Sequence, residues 1–284
     1  MRAKKSLGQH FLKSEKALAT IVKSGELRVG DTVLEIGPGQ GALTEKLLGT
    51  KCRVLAVEKD DNLYEFLKEK FKTEIKSGQL NLIHDDILNF DPESYNLEAS
   101  TYKLVANIPY NITGAILKKF LSAKCQPERI VLLVQKEVAE RIIVRKKPLD
   151  SARGKESILS ISVKVYGNPR YVETVKAGSF APMPCVDSAI ITIENISKTF
   201  FKTNAPHVNT PCLHGGEEKF FELVRAGFKS KRKKLSSNLV STPGVDKDMV
   251  AKVFKELNLD DNLRAEDVSI ETWRELMRLL CKFD

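Results

Sequence analysis

Five short apolar runs, each closed by a polar residue or a glycine turn and each but the third leading directly into a helical stretch, restrict this chain more than any other feature. Residues 31–36 read as a buried strand that runs into a glycine cluster, with a helix over 42–48 behind it. A second strand, 53–57, ends at Glu58 and precedes a helix over 63–71, with Leu63, Phe66 and Leu67 on its apolar face. A third, 80–83, ends in His84-Asp85-Asp86. A fourth, 102–106, ends at Asn107 before a helix over 113–121. A fifth, 129–134, leads into a charged helix from 136 to about 145. Strands alternating with helices form parallel β-α-β units, so the expected class is α/β with a Rossmann-like sheet. Ligands of such sheets bind beyond the carboxyl ends of the strands, near the point where strand order reverses.

The remainder reads differently. Leu159, Ile161, Val163 and Val165 alternate as in a strand, yet 154–166 also fits a buried helix. Residues 171–175 and 188–194 read as strands flanking a proline-rich turn, a hairpin that would close the sheet. Residues 196–217 are loop-like, and helical spacing follows over 218–228, 230–239, 247–257 and 270–282. The expected domains are therefore 1–195 (with a basic arm over 1–23), a linker over 196–217, and a small all-helical domain over 218–284. Apolar runs fall short of the roughly 18 residues that cross a bilayer, and the N-terminus lacks a secretory core, so a cytoplasmic protein without membrane contact is expected. Five dispersed cysteines without paired spacing argue against a disulfide framework. His207, Cys212 and His214 cluster, but no fourth ligand is near, so no metal site is expected.

A net charge of +9 and a pI near 9.2 favour a polyanionic partner. The excess is concentrated. Residues 1–23 carry Arg2, Lys4, Lys5, Lys13, Lys16 and Lys23 against Glu15 alone. Lys229, Lys231, Arg232, Lys233 and Lys234 put five cations in six positions. Lys4, Lys5 and this second run are the candidate nucleic-acid contacts.

Two motifs carry the chemistry. In Glu35-Ile-Gly37-Pro-Gly39-Gln-Gly41, the glycines permit close backbone approach, and the helix behind them offers free N–H groups. The spacing is G-x-G-x-G rather than that of dinucleotide binders, and Pro38 removes one amide donor, which disfavours pyrophosphate. S-adenosylmethionine, with a carboxylate, an ammonium and a sulfonium, fits better. Glu58, 21 residues after Gly37, can accept from both ribose hydroxyls, and Asp86 can meet the adenine amine. The second motif, Asn107-Ile-Pro109-Tyr110, lies 70 residues after Gly37. The lone pair of an adenine amine is delocalised into the ring. Acceptors such as the Asn107 amide oxygen and a carbonyl near Ile108 can grip its hydrogens and favour a more tetrahedral nitrogen. Pro109 stiffens the turn, and Tyr110 can stack on an extruded base.

Together these residues resemble the KsgA-type family of small-subunit rRNA adenine dimethyltransferases. The resemblance rests on G-Q-H-F-L over 8–12, E-I-G-P-G-Q-G-A-L-T over 35–44, N-I-P-Y-N-I-T over 107–113, Q-K-E-V-A-E-R over 135–141, S-F-A-P-M-P-C-V-D-S-A over 179–189, the basic segment over 228–239, and R-A-E-D-V-S over 264–269. It implies a class I methyltransferase sheet with a small C-terminal helical domain, and two methyl transfers to each of two adjacent adenosines near the 3′ end of 16S rRNA. It implies donor contacts at His10, Leu12, Gly37, Gly39, Glu58, Asp86 and Asn107, and Phe180 as a second aromatic wall opposite Tyr110. It sides with a helix over 154–166. The expected partner is small-subunit rRNA in an immature 30S subunit, met by a monomer. Lys231-Arg232 stands where two arginines are more usual, and Thr113 replaces a common serine. The alternatives are an Erm-type methylase of large-subunit rRNA and an assembly factor with dispensable catalysis.

Overall fold

The structure, a computed structural model, describes residues 9–143, 155–201 and 216–280. It divides into two compact units, Met1–Ile143 with Gly167–Ser197, and Val144–Tyr166 with Lys198–Asp284.

The first unit opens with β1 (Phe11–Leu12) and α1 (Glu15–Ser24). It continues through β2 (Thr32–Ile36), α2 (Ala42–Gly49), β3 (Arg53–Glu58), α3 (Asp61–Lys70), α4 (Lys72–Lys76) and β4 (Leu80–His84). Then come β5 (Tyr102–Asn107), α5 (Thr113–Ser122), β6 (Arg129–Gln135) and α6 (Lys136–Ile143). After α7 (Ile158–Lys164), which belongs to the second unit, the chain returns as β7 (Asn168–Val175), β8 (Phe180–Ala181) and β9 (Ser188–Glu194). Seven strands form one sheet in the order β4-β3-β2-β5-β6-β9-β7. β2 to β6 are parallel, while β9 runs antiparallel to both β6 and β7. β2 touches both β3 and β5, so the order reverses there.

The central strands read as continuous apolar runs because both faces are covered. On one face Val33, Val54, Ala56, Val105, Val131 and Leu133 pack with Leu18 and Ile21 of α1 and Leu43 and Leu47 of α2. Full burial of a side chain such as Ile21 or Leu47 contributes about 1.5–3 kcal/mol. Local signals set the helix starts. The Ser14 hydroxyl accepts from Ala17 N–H at the start of α1, and the Asp60 carboxylate accepts from Asn62 and Leu63 N–H at the start of α3. A separate two-stranded ladder joins β1 to β8 and pairs Leu12 with Phe180.

The second unit holds α7, α8 (Gly216–Gly227), α9 (Leu235–Leu239), α10 (Lys247–Glu256) and α11 (Ile270–Leu280). Residues 158–164 are helical, begun by a Ser157–Ser160 capping box, rather than the strand their alternation also allowed. Their placement differs from the expected boundary at 195. The Tyr166 hydroxyl donates to Glu217 Oε1 at 2.6 Å, and its ring packs beside Phe201 and Phe221, so this excursion belongs with the helical unit. The helix expected over 230–239 also shrinks. Only Leu235–Leu239 is helical, and the basic run forms the turn before it. Asn238 explains the turn: its side-chain amide donates to the carbonyls of Gly227 and Ser230, at 2.7 and 3.0 Å. Among the described residues no helix is long and apolar enough to cross a membrane.

Candidate active site

A cavity of about 330 Å³ opens at the carboxyl ends of β2, β3, β4 and β5, where the strand order reverses. All of its walls come from the first unit.

The glycine turn after β2 forms one wall. Gly37, Gly39 and Gly41 have φ of 61°, 61° and 78°. These left-handed conformations favour glycine. Two of the positions also lack room for a side chain. A Cβ on Gly39 would lie 3.1 Å from the Phe11 ring, and one on Gly41 would lie 2.5 Å from the Phe71 ring. A Cβ on Gly37 would meet nothing. The turn is tied to β3 from both directions. Gly37 N–H donates to the Val57 carbonyl at 2.9 Å, and Gly39 N–H donates to Glu58 Oε2 at 3.1 Å. Glu58 Oε1 accepts from Asp60 N–H at 2.9 Å. Glu58 thus locks the loop while each oxygen keeps a lone pair for a ligand. Burial pushes its carboxyl above the usual range, against the pull of the two N–H groups.

Glu35, one residue before the end of β2, lines the same cavity. It is 1 % exposed, and among the described residues its Oε2 has no hydrogen-bond partner. Burial pushes its carboxyl up to about 8, opposed by the Thr44 hydroxyl and reinforced by Glu58. Glu35 opens the glycine motif in the sequence, but no role falls to it there. The available signal was a charged residue inside an otherwise apolar, buried strand. Asp86, beyond β4, also lines the cavity. Lys59 donates to its Oδ2 at 2.7 Å, and Leu88 N–H donates to its Oδ1 at 3.0 Å. The Lys59 hydrogen bond, then the Leu88 one, hold Asp86 below the usual carboxylate range. Lys59 was likewise missed, because an exposed lysine after a strand looks like any solvated residue.

The other wall follows β5. Asn107, Pro109 and Tyr110 all line the cavity. The Asn107 Nδ2 donates to the His10 carbonyl at 3.3 Å, which leaves Oδ1 as the acceptor. Tyr110 begins a tight turn over Tyr110–Ile112, and the buried Thr113 hydroxyl donates to the Tyr110 carbonyl at 3.1 Å. Thr113 therefore serves the turn as serine would. The Tyr110 hydroxyl shares a 2.6 Å hydrogen bond with Ser188, and burial raises its pKa. The ring is thereby fixed, with the His10 imidazole stacked on it at 5.8 Å between centroids. His10 and Leu12 both line the cavity. His10 Nδ1 lies 2.8 Å from the Pro182 carbonyl, which can only accept, so Nδ1 carries the proton.

Phe180 does not join this group. Its ring is 5 % exposed, packs in the core with Leu12, and is absent from the cavity lining. Its ladder partner Leu12 belongs to the same core cluster. In the second unit, Lys229, Lys231, Arg232, Lys233 and Lys234 are exposed, and no described residue forms an ion pair with them. Lys4, Lys5 and the His207–Cys212–His214 cluster lie outside the described residues.

The cavity fits S-adenosylmethionine on its own terms. A buried, unpartnered Glu35 oxygen suits a cationic ligand, and the loop displays backbone N–H groups without a pyrophosphate-sized set of donors. A doubly wound sheet with this loop and an Asn-Ile-Pro-Tyr turn beside it defines an S-adenosylmethionine-dependent methyltransferase. Residues 1–282 match the family model described as ribosomal RNA adenine dimethylase, and the chain belongs to that family. It is 42 % identical over 276 residues to ribosomal RNA small subunit methyltransferase A of Dehalococcoides mccartyi, covering 97 % of this chain and 88 % of that protein. The protein of the same name from a Nostoc species is 37 % identical, covering 99 % and 98 %. The crystal structure of the 23S rRNA methyltransferase ErmE superposes with a TM-score of 0.68 at 26 % identity, over 96 % of this chain and 100 % of that one. A dimethyladenosine transferase from Plasmodium falciparum superposes at 0.73 with 24 % identity, over 95 % and 97 %, a likeness of fold.

Proposed function

We propose that this protein transfers methyl groups from S-adenosylmethionine to the exocyclic amines of two adjacent adenosines near the 3′ end of 16S rRNA, during small-subunit assembly. The observation that carries this reading is the meeting of two motifs. The glycine loop after β2 and Asn107 at the end of β5 line one cavity at neighbouring strand ends. Relatives named for the small subunit, at 37–42 % identity, support the choice of RNA.

Each residue has a part. Glu58 accepts from the ribose hydroxyls of the donor and Asp86 from its adenine amine, while Glu35 balances its positive charge. The donor supplies an electrophilic methyl group on a sulfonium. Asn107 Oδ1 accepts from the target amine and holds its nitrogen toward that methyl group. Tyr110 stacks on the target base, which must leave its RNA stack to arrive. No strong base is required, because the proton departs to water after transfer. Lys229, Lys231, Arg232, Lys233 and Lys234 grip RNA phosphates, as do Lys4 and Lys5. The protein works as a monomer on an immature 30S subunit, and a ribosomal substrate places it in the cytoplasm.

The likeness to ErmE favours a second reading, methylation of large-subunit rRNA. One experiment separates them: tritiated methyl transfer to undermethylated small subunits and, in parallel, to large subunits, with products mapped by primer extension. We expect label on two adjacent adenosines of 16S rRNA. Label confined to the large subunit would establish the Erm-type reading, and RNA binding without label would point to an assembly factor.

A further inference from the structure

The segment between β8 and β9 presents an apolar tip beside the site that the methyl-transfer reading does not use. Met183 is 68 % exposed and Val186 is 45 % exposed, while most large apolar side chains of this unit are buried. The tip is held rigidly. Pro182 and Pro184 flank Met183 and restrict its backbone. On the entering side, Ala181 pairs with Phe11, and the Pro182 carbonyl meets His10 Nδ1 at 2.8 Å. On the leaving side, Asp187 accepts from Ala177 N–H and from Lys176 Nζ, at 3.0 and 2.9 Å, and its carbonyl accepts from Lys136 N–H at 3.0 Å. Next in sequence is Ser188, which fixes the Tyr110 hydroxyl. Met183 therefore sits one residue from the carbonyl gripped by His10, the ring that stacks on Tyr110.

Three lysines lie on the segments that hold the tip, two of them ion-paired, Lys176 with Asp187 at 2.9 Å and Lys136 with Glu140 at 3.9 Å. Lys13, whose backbone N–H donates to the Ser179 carbonyl, is exposed and unpaired among the described residues. Lys176 is 78 % exposed at its side chain and Lys136 is 42 % exposed. An apolar tip with lysines on the segments at its base is suited to nucleic acid more than to a protein surface: the lysines meet phosphates, and the tip meets bases. A base drawn out of a stack leaves a gap, and unbranched apolar side chains such as methionine serve as wedges in such gaps.

We propose that Met183 is an apolar wedge that enters the stack vacated by the target adenosine, with Lys13, Lys136 and Lys176 on the flanking phosphates. This rests on the RNA adenine methyltransferase reading, and the test separates the two. Single-turnover methyl transfer is measured for wild type, Met183→Ala and Met183→Leu. Each acts on undermethylated small subunits and on a short unstructured oligonucleotide holding the same adenosines. For Met183→Ala we expect roughly tenfold slower transfer to the subunit, the size of one lost stacking contact. Transfer to the oligonucleotide and donor affinity should stay at wild-type values, and Met183→Leu should recover most of the loss. An Ala variant equal to wild type on subunits, or equally slow on both substrates, overturns the wedge. Failure of the wild type on both substrates overturns the methyltransferase reading instead.

Discussion

The two walls of the cavity differ in how firmly their residues are held. On the donor wall, Glu58 is 5 % exposed and bonded through both oxygens, and the glycine turn is wedged between Phe11 and Phe71. On the acceptor wall, Asn107 keeps one 3.3 Å bond to the His10 backbone, and Tyr110 is fixed by its hydroxyl with one face toward His10. The donor wall is complete before any ligand arrives. The acceptor wall has groups in place but little that encloses a base, which fits a substrate that brings its own rigid surroundings. Preorganisation is concentrated on the wall proposed to bind the small ligand.

The sharpest way to break this contrast is Asn107→Ala. If the walls are independent, methyl transfer falls by 10³-fold or more, roughly 4 kcal/mol in the barrier, while donor affinity measured by calorimetry changes little. A donor affinity that collapses together with the rate would mean that the walls form one unit.

Gly41→Ala probes the rigidity of the donor wall. The substitution demands φ near 78° and a Cβ 2.5 Å from the Phe71 ring. We expect a loss of about 3 kcal/mol in denaturant unfolding, from left-handed strain and overpacking together. A loss below about 1 kcal/mol would mean that Phe71 gives way and the loop is softer than its contacts suggest.

Glu35 gives the same wall a pH dependence. Its folded-state carboxyl titrates near 8 and an unfolded glutamate near 4.5, so the folded protein holds a proton in between. Its contribution to stability is whole below about 4.5 and is lost as pH rises through about 8. A cationic donor prefers the ionised form. Donor affinity should therefore rise with pH up to about 8, by at most roughly tenfold per unit, with proton uptake by the buffer. Calorimetry in buffers of different ionisation enthalpy measures that release, and Glu35→Gln should remove it. Binding of unchanged proton stoichiometry in the variant would assign the release to another group.

The donor wall was also the more legible one. Strands β2 to β6 fall within a residue or two of their apolar runs; β3 to β6 each end at the polar residue that closes the run, and β2 ends at Ile36 before the glycine turn. Gly37, Glu58 and Asp86 could be placed because a parallel sheet delivers successive strand ends to one edge. What escaped reading depends on distant partners. The β1–β8 ladder joins residues about 170 apart, each strand only two residues long, and no local pattern marks it. The basic run was expected inside a helix because its spacing allows one. Repulsion among adjacent cations and the Asn238 clamp favour a turn instead. Residues 158–164 joined the helical unit through Tyr166 and Glu217, a pair 51 residues apart in sequence.

The smallest expected effect concerns where the acceptor wall ends. Family resemblance makes Phe180 a second aromatic wall, whereas its ring lies 5 % exposed beside Leu12. Phe180→Leu separates these positions. If the ring stays in the core during turnover, the change is a modest large-to-small core substitution. Stability then falls by about 1 kcal/mol, and the rate on small subunits stays within a factor of two of wild type. If the ring meets the base during turnover, the same loss of stability is joined by a roughly tenfold fall in RNA-dependent kcat/KM, as a base–aromatic contact is lost. The second outcome would make closure of the acceptor wall a consequence of RNA binding, since Phe180 could then leave Leu12 only when a base takes its place.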